Sequence, residues 1–160
     1  MNKPKIYTIG VYGWTEEDFF NKLQEKNIDL FVDIRFRRGM RGGKYPFANS
    51  KYLQDKLKEI GIEYLHLKEL APTESIRAIQ KQEDKKANVL TSTREHLASA
   101  YIEMYNRQVL DKYDLSIFEE LMRTHKAIVV FCVEREARAC HRSIASEYLG
   151  RKFNLEVEHL

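Results

Sequence analysis

The stretch Ala127-Ile-Val-Val-Phe-Cys-Val133 decides the fold of this chain. It holds seven consecutive apolar residues, is rich in β-branched side chains and carries no charge. A strand that is apolar on both faces is typical of a parallel sheet covered by helices on both sides. We therefore predict a central strand over residues 127–133 in an α/β domain.

Shorter strand-like and helical stretches alternate around this central strand. Further strands are predicted at residues 5–9, 28–34, 62–67 and 153–157. Helices are predicted at residues 15–26, 50–60, 97–108, 115–122 and 141–149, with Gly61 and Gly150 ending the second and the last of them. Residues 72–87 are charge-rich and form either a solvated helix or an ordered loop. The alternation predicts a single three-layer α/β domain over residues 1–160, with a mostly parallel sheet of about five strands and helices on both faces.

The composition excludes several classes of protein. Of 160 residues, 43% are hydrophobic, which is enough for a sizeable core. The 27 Lys and Arg residues against 24 Asp and Glu leave a net charge of +3, which excludes a histone-like polycation. The longest apolar run is far too short to span a bilayer, and two cysteines do not make a disulfide framework. We expect a soluble, cytoplasmic protein with no membrane partner.

Polar side chains follow the ends of several predicted strands. Because the carboxyl ends of parallel strands meet at one edge of a sheet, ligands usually bind there. The residues at this edge are Asp33, Arg35, His66, Glu134, Cys140, His141 and Arg142. We expect them to lie around one cleft, with the carboxylate of Glu134 in contact with an arginine, Arg142 or Arg35.

Cys140 is the most informative of these residues. A thiol at a helix start is stabilised as thiolate by the helix dipole and by unpaired amides, and Arg142 adds positive charge. Cys140 could equally be a buried structural cysteine, since free cysteines often are. Glu134 could orient His141, act as a general base or form a buried ion pair. Cys132 lies inside the central strand and is interpreted as a core residue.

A metal site is not favoured by the spacing of the possible ligands. Cys132, Cys140, His141 and His66 could supply four of them. However, the seven residues between the two cysteines match no C-x-x-C knuckle, and adjacent Cys and His ligands are awkward for one tetrahedral ion. We therefore expect no metal.

The segment from Arg35 to Lys44 is an Arg/Gly-rich loop. It holds five cations, three glycines and no acid. Arg38 and Arg41 are candidates for binding phosphate or carboxylate, although such a run is often only solvated surface. The Walker A and complete G-x-G-x-x-G motifs are absent, and the sequence leaves the cofactor unknown.

Several motifs together resemble the DUF488 family. They are Tyr7-Thr-Ile-Gly10, Val32-Asp-Ile-Arg35, Gly61-Ile-Glu-Tyr-Leu-His66 with Glu69-Leu70, and Phe131-Cys-Val-Glu134 followed by Cys140-His-Arg142. The resemblance implies a compact α/β domain of uncharacterised biochemical function that shares these polar positions. The chain departs from the family where T-I-G-H-S is usual, because Val11-Tyr-Gly-Trp14 follows Gly10. The Arg/Gly-rich loop also replaces a stretch that usually contains proline and serine.

Three hypotheses about function follow. In the first, the chain binds or processes a small anionic or phosphate-bearing ligand at the Cys-His-Arg helix start. Arg35 and Arg142 would bind the anion, Cys140 would be a nucleophile or redox thiol, His141 a proton carrier and Glu134 an orienting carboxylate. In the second, the Arg/Gly-rich loop makes the chain a non-catalytic nucleotide or nucleic-acid binding module. In the third, the ion-paired cleft only stabilises the sheet edge.

Overall fold

The computed structural model describes residues 3–40, 42–90 and 93–160. The described strands are β1 (Lys5–Ile9), β2 (Leu30–Asp33), β3 (Glu63–His66), β4 (Ala127–Phe131) and β5 (Val157–His159). The described α-helices are α1 (Glu16–Glu25), α2 (Ser50–Glu59), α3 (Glu74–Lys86), α4 (Ser99–Gln108), α5 (Leu115–Thr124) and α6 (His141–Phe153). Short 3-10 turns include Pro46–Ala48 and Ala137–Ala139. None of the helices in these ranges is both long and apolar enough to cross a membrane.

The five strands form one parallel sheet in the order β3-β2-β4-β1-β5. The uncharged β4 lies at its centre, and Val130 stands opposite Val32 of β2 and Thr8 of β1. The prediction of a parallel sheet around this strand is confirmed. Because every strand is parallel, all carboxyl ends face one edge, which places the polar residues that follow them near one another.

Alternating side chains of the strands build a separate core on each face of the sheet. On one face Phe31 and Phe131 pack with Phe19 of α1 and Leu53 of α2. On the other face the residues of the strands pack with buried side chains of α3, α4, α5 and α6, namely Ile6, Val32, Val130, Ile76, Tyr101, Tyr105, Phe118 and Leu149. These are the three layers that the alternation of strands and helices predicted.

Local side-chain hydrogen bonds define where several helices begin. Thr15 caps α1 by accepting from the N–H of Asp18 at 3.1 Å, as the sequence predicts. Thr73 caps α3 in the same way through the N–H of Ile76. The charge-rich segment 72–87 is therefore a helix and not a loop, and Ile76 is the residue that anchors it in the core.

Helix α6 is longer than predicted. It continues through Gly150 and ends at Phe153, with Asn154 in the left-handed conformation at φ 54°. The prediction that Gly150 ends the helix is therefore wrong. A glycine is needed here because the chain that follows α6 packs closely against this position. A Cβ there would lie 2.8 Å from Val157 Cγ2 of β5 and 3.1 Å from the carbonyl oxygen of Leu155.

Candidate functional site at the carboxyl edge

Asp33 and Arg35 form a closed ion pair at the end of β2. The Nε and Nη2 of Arg35 donate to Asp33 at 2.9 and 2.8 Å, and Nη1 donates to the carbonyl of Ala48 at 2.8 Å. The guanidinium also lies 4.8 Å from the centre of the Phe131 ring. Both side chains are buried, so this pair attaches the loop after β2 to the sheet.

Tyr64 completes the group around Asp33. Its hydroxyl donates to Asp33 at 2.7 Å, and burial together with the neighbouring carboxylate raises the pKa of Tyr64 to about 12. Arg38 reaches the same hydroxyl at 3.5 Å, and the ring of His66 bonds the carbonyl of Arg35 at 2.8 Å. His66 and Arg38 thus support the loop after β2, while Arg41 lies outside the described residues.

Arg142 is fully buried and bonds the backbone of a neighbouring turn. Its Nη1 donates to the carbonyl of Glu134, its Nη2 to that of Arg135 at 3.2 Å, and its Nε to Thr8 Oγ1 at 3.4 Å. The three donating atoms all have protein partners. Ligand binding by Arg35 and Arg142 stays a prediction. The contacts of both arginines do not favour it, because their guanidinium groups already donate to protein acceptors.

Cys140 caps the N-terminus of α6 with its own sulfur. Its Sγ accepts from the N–H of Arg142 at 3.5 Å, and only 1% of the residue is exposed. Burial opposes ionisation of Cys140, but hydrogen bonding by the Cys132 thiol and the charge of His141 hold its pKa well below the usual range. Burial raises the pKa of Cys132 well above the usual range. A backbone N–H of the helix N-terminus therefore donates directly to the Cys140 sulfur.

Glu134 forms a buried ion pair with an arginine that the sequence analysis did not single out. Arg94 donates to the carboxylate of Glu134 at 2.7 Å and to Asp84 at 2.6 Å. The prediction of Arg142 or Arg35 as the partner of the carboxylate is wrong. Arg35 is paired with Asp33, and Arg142 bonds the backbone carbonyl of Glu134 and not its carboxylate. Arg94 lies between α3 and α4 in a stretch without hydrophobic periodicity, so nothing in the pattern marked it.

The environment of Glu134 raises the pKa of its carboxyl group. Burial, followed by the charge of Cys140, raises the pKa of Glu134 to about 8 despite the neighbouring Arg94. One carboxylate oxygen, Oε2, is buried and has no hydrogen-bond partner within the described ranges. A buried polar atom without a partner is uncommon and indicates a place where a ligand or water binds.

A cavity of about 590 Å³ opens at this edge of the sheet. Cys132, Glu134 and His141 line one wall. Another wall carries four cations, Arg37, Arg77, Lys81 and Lys85. The prediction that Cys132 is a core residue is confirmed, because it is only 5% exposed and packs in the core on one face of the sheet. Its predicted place inside the strand is wrong, since β4 ends at Phe131. Cys132 also borders the cavity, whereas Cys140 does not line it.

A larger cavity, of about 1040 Å³, is separate from these residues. Its walls include Trp14, Arg135, Glu147 and Arg151. None of the predicted site residues lines it. The smaller cavity is therefore the candidate functional site.

Fold and site together define a parallel α/β domain with a cluster of two cysteines, a histidine and a carboxylate at the carboxyl edge of its sheet. The chain belongs to the DUF488 family: the family model described as "Domain of unknown function DUF488" matches residues 15–149. Comparisons with curated proteins and with solved structures give no match.

Proposed function

We propose that the chain binds a small anionic, phosphate-bearing compound in the 590 Å³ cavity and acts on it with the adjoining Cys-His-Glu cluster. The observation that carries the proposal is the wall formed by Arg37, Arg77, Lys81 and Lys85. No acidic group pairs with any of these four cations in the described part of the chain. A concave site lined by unpaired cations attracts anions.

Arg77 is the cation of this wall that packs on an aromatic ring. Its guanidinium lies 4.2 Å from the centre of the Phe36 ring, which fixes its orientation. Its Nε is buried and has no acceptor within the described residues. Leaving such a donor unsatisfied costs about 1–3 kcal/mol, which a phosphate oxygen would offset.

The cavity has the size and lining of a small-molecule site. Its volume lies within the range of about 300–1,000 Å³ that is typical of ligand pockets. Phe36, Pro72, Leu90 and Tyr101 add apolar surface for an organic group next to the cations. A phosphate-bearing metabolite offers both kinds of surface.

The reactive groups lie on the wall that such a ligand would face. Cys132, His141 and Glu134 line the cavity, while Cys140 does not line it but lies with its Sγ 3.8 Å from Nδ1 of His141. In this proposal the cations bind the anion, and the Cys-His-Glu cluster supplies the groups that act on the bound compound.

Calorimetric titration with inorganic phosphate, pyrophosphate and adenosine monophosphate tests the binding step. Arg77→Met and Lys81→Met are each expected to weaken binding of at least one of these probes by about tenfold or more, because each removes a charge-assisted contact. Lys58→Met is the matched control, since Lys58 is exposed on α2 and does not line the cavity. Absence of binding by all three probes, or equal weakening by Lys58→Met, would overturn the proposal.

The nucleic-acid alternative draws less support from the contacts of the Arg/Gly-rich loop. Arg37 lines the cavity and Arg38 contacts Tyr64, so these two cations do not form one separate basic surface. Oligonucleotide binding with a steep dependence on salt, unaffected by Arg77→Met, would favour that alternative.

A further inference from the structure

We propose that Cys132, Cys140 and His141 bind a zinc ion whose fourth coordination position opens into the cavity. The two sulfurs lie 3.7 and 3.8 Å from Nδ1 of His141, and all three donor atoms lie within 4.8 Å of one another. A tetrahedral zinc ion with ordinary bond lengths separates sulfur from nitrogen by about 3.6 Å and two sulfurs by about 3.8 Å. The two sulfur-to-nitrogen distances are thus already close to the spacing that the ion needs, and the two sulfurs lie within 4.8 Å of each other.

The orientation of the His141 ring supports the same site. Its Nε2 lies 2.9 Å from the carbonyl oxygen of Ile34. A carbonyl only accepts hydrogen bonds, so Nε2 carries a proton and Nδ1 is the atom that faces both sulfurs. Metal-binding histidines are usually held in this manner, with the second ring nitrogen donating to a carbonyl or carboxylate.

The fold removes the objection that arose from the spacing in the sequence. Cys132 lies directly after β4, and Cys140 and His141 begin α6. The 3-10 turn Ala137–Ala139 brings the chain back between them, and Arg94 holds that turn by donating to the carbonyl of Ala139 at 3.1 Å. Three ligands can therefore converge without a C-x-x-C knuckle.

A fourth protein ligand is not needed, which is typical of reactive zinc sites. Such sites have three protein ligands and leave one position for water or substrate. Cys132, His141 and Glu134 all line the cavity, and Oε2 of Glu134 is buried without a hydrogen-bond partner among the residues that the structure describes. This buried oxygen is an acceptor for a water molecule bound to the ion. Two thiolates and an imidazole select zinc over magnesium or calcium, which prefer oxygen ligands.

Titration of the reduced protein with Co²⁺ tests the site without any assay of activity. We expect one ion per chain, a sulfur-to-cobalt charge-transfer band, intense visible bands of tetrahedral Co²⁺, and displacement by one equivalent of Zn²⁺. Cys132→Ala, Cys140→Ala and His141→Phe should each weaken binding by more than about 100-fold. His96→Phe is the control: it should retain the bands, because His96 is exposed and is not one of the three ligands.

Circular dichroism of each variant shows whether it folds, and X-ray absorption at the zinc edge of the wild type gives a readout that needs no variant. Two sulfur neighbours and one imidazole are expected there. Absence of the charge-transfer band, a spectrum with fewer than two sulfurs, or bands that survive Cys132→Ala or Cys140→Ala would overturn the zinc proposal. Anion binding is measured separately, through Arg77 and Lys81 on the wall that bears no zinc ligand, so either proposal can fail alone.

Discussion

Arg94 Nη2 donates to Glu134 Oε1 at 2.7 Å and thereby joins two segments that are 40 residues apart. The same guanidinium binds Asp84 near the end of α3 and the carbonyl of Ala139 before α6. Its side chain is only 9% exposed. Arg94 therefore connects the end of α3, which carries the cations of the cavity, with Glu134 and with the turn that precedes α6.

Replacing Arg94 with Met should lower the free energy of unfolding by about 3 kcal/mol, because it leaves the buried Glu134 and the partly buried Asp84 without a cation. Urea denaturation measures the loss. Adding Glu134→Gln to Arg94→Met should restore part of the stability, since the unpaired charge is then absent. Lys51→Met, which breaks an exposed pair with Asp55, should change the stability by less than about 0.5 kcal/mol. Equal effects of Arg94→Met and Lys51→Met would show that the buried pair is not structural.

Replacing Gly10 with Ala should destabilise the protein by about 1–3 kcal/mol or more. A Cβ at this position would lie 1.9 Å from the carbonyl oxygen of Glu134 and 2.9 Å from Nη1 of Arg142, and that backbone cannot move without displacing the turn after β4. Thermal or urea unfolding measures the effect. Gly43→Ala is the matched control, because a Cβ there meets nothing within 4 Å. A Gly10→Ala variant as stable as Gly43→Ala would contradict this packing.

Stability should depend on pH through His125 at the opposite edge of the sheet. The ring bonds Glu63 at 2.7 Å, and burial of the ring is outweighed by this bond and by nearby Asp29, so the pKa of His125 is raised. A histidine with a raised pKa stabilises the folded state fully below the unfolded value of about 6.5, and the contribution is lost as pH rises through the folded value.

Glu63→Gln removes the carboxylate partner of His125. The difference in urea midpoint between wild type and Glu63→Gln should therefore be larger at about pH 5.5 than at about pH 8.5. His96→Gln serves as a comparison, because His96 is exposed and forms no ion pair in the described ranges. A difference that stays constant across this interval would show that protonation of His125 does not contribute.

Within the Arg/Gly-rich loop, neutralising different arginines should have opposite consequences. Arg37→Gln should leave the melting temperature nearly unchanged and weaken anion binding, because Arg37 is exposed on the cavity wall. Arg35→Gln should lower the melting temperature strongly, since it leaves Asp33 buried and unpaired. Thermal unfolding and titration with pyrophosphate measure the two properties. A large stability loss in Arg37→Gln would show that this arginine is structural.

The positions of the strands follow from local sequence. The uninterrupted apolar run at residues 127–133 can only be stable between two covered faces, and the shorter runs before and after it are too short to form helices alone. Once the strands are parallel, their carboxyl ends share an edge. For this reason the approximate location of Asp33, Glu134 and Cys140 could be predicted from the sequence, without knowledge of any contact.

Which side chains meet at that edge depends on the tertiary structure. Arg77 reaches the cavity from α3, which packs in the core through Ile76, and Arg94 reaches it from the loop after α3, where it bonds Asp84 and Glu134. No periodic pattern in the sequence indicates these contacts. The strand ends at Phe131, so the side chain of Cys132 approaches His141 although the two are nine positions apart. Hydrophobic periodicity reflects only whether a residue is buried. The partners of a buried charge or thiol depend on the path of distant loops and on the directions of single side chains, and these are fixed only when the layers pack together.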